Sequence, residues 1–139
     1  MNVNQSKIVD LLRSLPELLE IPFVLATTGE LNVFIDTARS REVPEHVITQ
    51  LTDFYRVTNG YAYDVIINFF ECTELTIYEW WEDGDLWLGQ RDFNTLRWSN
   101  GKFSLGDAGS ASLDETCEAD TLIGLIEICK IEILEVLKD

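Results

Sequence analysis

The dipeptide Asn100-Gly101 constrains this chain more than any other feature. A two-residue hairpin loop needs positive φ at both positions, and Asn-Gly supplies it at least steric cost. A loop of that length fixes the pairing on either side of it. Ser99 faces Lys102, Trp98 faces Phe103, Arg97 faces Ser104 and Leu96 faces Leu105. In that register the Trp/Phe and Leu/Leu pairs share one face, and the polar Arg97/Ser104 pair takes the other. Turn chemistry and hydrophobic pattern agree, so the hairpin is expected to pack one face on a core.

Helical spacing appears first in Ile8, Leu11, Leu12, Leu15, Leu18 and Leu19, with Ser6 as the expected cap and Pro16 as a kink or stop. Thr28-Gly29 reads as a turn into a strand around Leu31–Asp36. A second helix follows. Pro44 fits its first position, where a missing N–H costs nothing, and Val47, Ile48, Leu51, Phe54 and Tyr55 form its apolar face. Asn59-Gly60 is expected to stop it, because Gly accepts the left-handed backbone of a helix end. Val65–Phe70 reads as an apolar, central strand. Glu74–Trp81 fits either a strand or a short helix. Asp83-Gly84 is a turn into a strand over Asp85–Gly89, and Gly106–Thr116 is loop-like. Asp120 is the expected cap of a final helix with the stripe Leu122, Leu125, Ile126, Cys129, Ile133, Leu134 and Leu137. Helices at both ends, one between and a β-rich middle predict an α+β fold. Its sheet is mostly antiparallel and is flanked by N-terminal, middle and C-terminal helices.

The 139 residues are expected to form a single domain, 1–139, and an apolar share of 46% suffices for its core. The formal charge of −15 repels phosphate backbones and anionic lipid headgroups, which argues against nucleic-acid and membrane partners. The same charge attracts a basic protein. Cys72, Cys117 and Cys129 are odd in number, widely spaced and without a CxxC, as in a reduced cytoplasmic protein. Met1–Gln5 lacks the regions of a signal peptide, and no apolar run approaches the roughly 20 residues that span a bilayer.

Catalytic chemistry finds few candidates. His46 is the single histidine, placed in the first turn of the second helix with nothing nearby to mark a site. The cysteines lack a base or a basic pocket, and no cluster offers four zinc ligands, so no metal and no cofactor is expected. The remaining candidates are the carboxylates Glu79, Glu82, Asp83, Asp85 and Asp92, which surround Trp80 and Trp81. Three readings stay open for them: a solvated loop, a protein-binding patch, or a small metal-dependent carboxylate hydrolase. In an extended segment the two Trp side chains point to opposite faces. One is then core and the other an exposed anchor, so the expected partner surface is the five acids with one of Trp80 or Trp81, taken as Trp81.

Val43-Pro44, the run Phe54-Tyr55-Arg56-Val57-Thr58-Asn59-Gly60, Glu74-Leu75 and Gly84-Asp85-Leu86-Trp87-Leu88-Gly89 stand in this order before the hairpin and the last helix. The chain resembles the SUKH superfamily, that of the yeast cell-wall (glucan) synthesis regulator, over about Ile8 to Leu137. Trp81-Glu82-Asp83 replaces the family's usual Gly-rich stretch, and Tyr61 stands where a second Gly often follows Asn-Gly. The resemblance implies an α+β fold, no catalytic residues, no cofactor and a protein partner. In the bacterial members that partner is mostly a toxin domain, often a nuclease, which a cytoplasmic immunity protein neutralises. The composition agrees, since nucleases carry basic surfaces for phosphate. The chain itself is expected to be a monomer or weak dimer. A regulator or scaffold of cell-wall synthesis is the alternative within binding proteins.

Overall fold

The computed structural model describes residues 1–15, 23–63, 67–91, 94–107 and 118–137. These residues group into two compact units: Met1–Gly60 with Glu71–Thr73, and Tyr61–Phe70 with Glu74–Asp139.

The first unit is helical. Helix α1, Val3–Arg13, starts on Asn2 rather than on Ser6, the cap expected from sequence. Asn2 Oδ1 accepts from the Gln5 N–H at 2.8 Å, and Gln5 Oε1 accepts from the Asn2 N–H at 3.2 Å. This reciprocal box satisfies two donors that the first turn leaves without partners, so it fixes the helix start earlier. Pro16, Leu18 and Leu19 lie outside the described residues.

Helix α2, Thr28–Ser40, occupies the stretch where a turn and a strand were expected. Leu31, Val33 and Ile35 alternate, which imitates a half-buried strand. Leu31, Phe34 and Ala38 are the residues that become buried, at helical spacing, while Val33 is 55% exposed. The deciding local chemistry is a second capping box. Thr27 Oγ1 accepts from the Glu30 N–H at 3.1 Å, and Glu30 Oε1 accepts from the Thr27 N–H at 2.9 Å.

Helix α3, Glu45–Val57, buries the expected Val47, Ile48, Leu51, Phe54 and Tyr55. Pro44 sits one place earlier than expected. It is the cap, at φ −56° and ψ 139°, and its carbonyl accepts from Val47 and Ile48. Gly60 takes φ +83° after the helix end, the left-handed backbone foreseen for it. Asn59 ties the unit together. Its Nδ2 donates to Glu30 Oε2 at 3.2 Å, its Oδ1 accepts from the Cys72 N–H at 2.9 Å, and its own N–H donates to the Val24 carbonyl. The buried Asp53 carboxylate on α3 accepts from Asn2 Nδ2 and Gln5 Nε2, which docks the start of α1.

The second unit is an antiparallel meander with one long helix. Strands β1 (Tyr61–Tyr63), β2 (Ile67–Phe69), β3 (Asp85–Arg91), β4 (Asn94–Ser99), β5 (Lys102–Asp107) and β6 (Glu118–Ala119) pair in sequence order. The strand read at Val65–Phe70 is thus one place in from the β1 edge rather than central, and Asn68 is exposed. Val65 and Ile66 are outside the described residues. The hairpin has the register that Asn100-Gly101 imposes: Ser99 opposite Lys102, Trp98 opposite Phe103, Arg97 opposite Ser104 and Leu96 opposite Leu105. Asn100 has φ +52° and Gly101 φ +80°. Leu96, Trp98, Phe103 and Leu105 are all buried, which is the predicted apolar face.

Of the two readings of Glu74–Trp81, the short helix is the one found. The stretch holds a four-residue 3₁₀ helix, Leu75–Tyr78, and a turn, Trp81–Asp83, follows. Helix α4, Leu122–Leu137, closes the unit with Leu122, Leu125, Ile126, Cys129 and Ile133 buried and Leu134 exposed. Its cap is Thr121, whose Oγ1 accepts from the Gly124 N–H at 3.1 Å. Asp120, the cap expected from sequence, instead pairs with Lys102 on β5.

Candidate functional site

The site is built on β3 and β4. Alternation along β3 sends Leu86 to one face and Trp87 to the other. Register carries this across to β4, where Leu86 lies opposite Trp98 and Trp87 opposite Arg97. Trp87 and Arg97 therefore share the sheet face that carries Ser104, away from the Leu96–Leu105 face. The ladder slips between Trp87 and Gly89, leaving Leu88 as an extra residue. Trp87 Nε1 spans this bulge and donates to the Gly89 carbonyl at 2.9 Å, which holds the indole in place.

The chain then brings Trp80 onto this face. The Trp80 and Trp87 rings stack, with centroids 4.1 Å apart and planes 9° from parallel. Phe70, just past β2, meets Trp87 edge-on at 5.5 Å. The Arg97 guanidinium carbon lies 5.0 Å from the Trp80 ring centroid. Arg97 Nη1 also pairs with Asp85 Oδ2 at 3.3 Å, and Arg97 Nε donates to Thr95 Oγ1 at 2.7 Å. Phe70, Trp80 and Trp87 are each half-buried, so none of the three is sealed in the core.

Trp81 goes the other way. Its ring lies 6.2 Å from that of Trp98, on the opposite side of the sheet. The two neighbouring indoles do straddle the sheet, as an extended segment would have made them do. They achieve it through a turn, and both are half-buried rather than one being core and one exposed.

The six residues expected in a partner surface fare differently. Glu79, Glu82 and Asp83 are exposed, the last two inside the turn Trp81–Asp83. Asp85 is only 18% exposed and is engaged by Arg97. Trp81 lies against Trp98, and Asp92 is outside the described residues. Sequence reasoning missed Phe70, Trp87 and Arg97. Extending the hairpin register by one strand would have placed Trp87 beside Arg97. Nothing local to Trp80 announces that it stacks on Trp87.

The other candidates add little chemistry. His46 is exposed at the start of α3. Cys72 is buried, with its thiol reaching the Glu30 carbonyl at 3.7 Å. Burial first, and the Glu30 carboxylate second, push that thiol up to about 11. Cys129 is buried on α4. Among the described residues no group of three or more His, Cys, Asp and Glu side chains is placed to hold a metal ion. Among the same residues no helix is long and apolar enough to cross a membrane. No protein-family model matches the chain, and neither a curated protein nor a solved structure matches it.

Proposed function

We propose that this chain is a non-enzymatic protein-binding domain, an immunity-type inhibitor that neutralises a basic toxin domain by occlusion. One observation carries the reading. Exposed Glu79, Glu82 and Asp83 lie on the same short segment as Trp80, whose ring joins a half-buried aromatic cluster. Large aromatic side chains beside charge are the composition of an interface hot spot with a polar rim. The overall charge of −15 steers a basic surface toward it. The likeness of the sequence to the SUKH superfamily supports the same reading.

The test is rescue. A toxin gene found directly upstream would name the candidate partner, and its toxic domain would be co-expressed with this chain. Restored growth and co-elution of the two proteins are the expected results. Reversal of Glu79, Glu82 and Asp83 to Lys in the folded protein should abolish both. Growth arrest in the presence of the wild-type chain, or rescue that survives the reversal, would overturn the proposal.

A further inference from the structure

Resting on that reading of a basic partner, we infer that the Phe70–Trp87–Trp80 face recognises an arginine side chain of the partner and discriminates it from lysine. Tryptophan offers the most favourable ring face for a cation. A planar guanidinium lies flat on an indole while its N–H groups reach carboxylates in the same plane, whereas an ammonium is a compact, strongly hydrated point charge. The fold already contains this contact in miniature, with Arg97 5.0 Å from the Trp80 ring centre and its Nη1 on Asp85.

The surface is prepared for a second cation. Asp85 is engaged by Arg97, while Glu79, Glu82 and Asp83 remain exposed next to Trp80 in the chain. Trp87 is fixed by its bond to the Gly89 carbonyl, and Trp80 by its stack on Trp87. Ordering these rings on binding therefore costs little. Charge complementarity selects a cationic occupant, and the aromatic face selects arginine among cations.

The probes are deca-arginine and deca-lysine, peptides of equal charge, titrated into the full chain at about 150 mM salt, where long-range attraction is screened. Deca-arginine should bind at least about fivefold tighter, the factor expected of one guanidinium–indole contact. Trp80→Ala should bring the two affinities together by weakening deca-arginine alone. Equal affinities in the wild type, or a preference that survives in folded Trp80→Ala, would overturn the inference. Should that variant fail to fold, the wild-type indole N–H resonances decide. Deca-arginine must shift Trp80 and Trp87 more than Trp98, and equal shifts or none sink the idea. Toxin neutralisation without an arginine preference overturns this inference alone. An arginine preference without toxin binding overturns the proposed function alone.

Discussion

Gly89 shows how a single residue carries a strand pairing. A Cβ at this position would lie 2.1 Å from the Asn68 carbonyl oxygen and 2.9 Å from the Phe69 Cα, both backbone atoms of the neighbouring strand. Neither can move aside without breaking β2 from β3. Gly89→Ala should therefore destabilise the protein by on the order of 1–3 kcal/mol, as overpacking does. A thermal melt unchanged from wild type would show that the strands approach less closely than this. Cys72 makes a separate prediction at the same scale. Its thiol is raised from an ordinary 9.0 to about 11, mainly by burial. The folded state holds the proton more tightly than the unfolded chain, so the contribution is fully present below about pH 9. It is lost as pH rises toward 11, by on the order of 2 kcal/mol. Denaturant melts from pH 8 to 11 should show wild type losing stability faster than Cys72→Ala. Parallel curves for the two proteins would refute the shift.

Among the elements, the hairpin and α2 mark the two limits of what local sequence can specify. The hairpin was legible because turn chemistry and side-chain alternation are independent signals that agreed on one register. Gly101 sits at φ +80° with nothing within 4 Å of a Cβ built there, so its requirement is conformational and not steric. Gly101→Val should cost on the order of 1–3 kcal/mol through backbone strain alone. Equal stability of variant and wild type in urea would mean that the turn tolerates another backbone form. In α2 the local signals conflicted. Leu31, Val33 and Ile35 gave a period of two, while Leu31, Phe34 and Ala38 gave a helical one. The capping box of Thr27 and Glu30 tipped the balance, and it was present in the sequence as Thr-x-x-Glu. The caps of α1 and α4 were misplaced for a related reason. More than one candidate cap lies at each start, Asn2, Asn4 and Ser6 at α1 and Asp120 and Thr121 at α4, and only the folded backbone decides which side chain reaches an N–H.

For the molecule as a whole, the charge of −15 is divided between engaged and exposed carboxylates, and the two classes should respond differently to reversal. Glu82 and Asp83 are exposed. Reversing both to Lys should slow association with a basic partner and flatten its salt dependence, while shifting stability by less than about 0.5 kcal/mol. Asp85 and Arg97 are only 18% and 13% exposed. Asp85→Lys should therefore lower stability by on the order of 2 kcal/mol or more, because it leaves Arg97 facing a second cation. Binding kinetics at several salt concentrations, with thermal melts alongside, separate the two effects. A stable Asp85→Lys protein, or unchanged association for the Glu82/Asp83 variant, would contradict this division.

By itself the sequence determined the α+β class, the hairpin register, the core face of α3 and the acidic character of the segment around Trp80. Each of these depends on residues close in the chain or on a count that folding cannot change. The tertiary structure alone decided that Trp80 stacks on Trp87, that Phe70 joins them, and that Asp85 is held by Arg97. Those contacts join β2, β3, β4 and the turn before β3. Their geometry follows from a bulge at Leu88 and from the close approach that Gly89 permits. Side-chain period and turn chemistry describe one strand or one loop at a time. The meeting of three rings and a guanidinium from four segments is fixed only when the strands are in register.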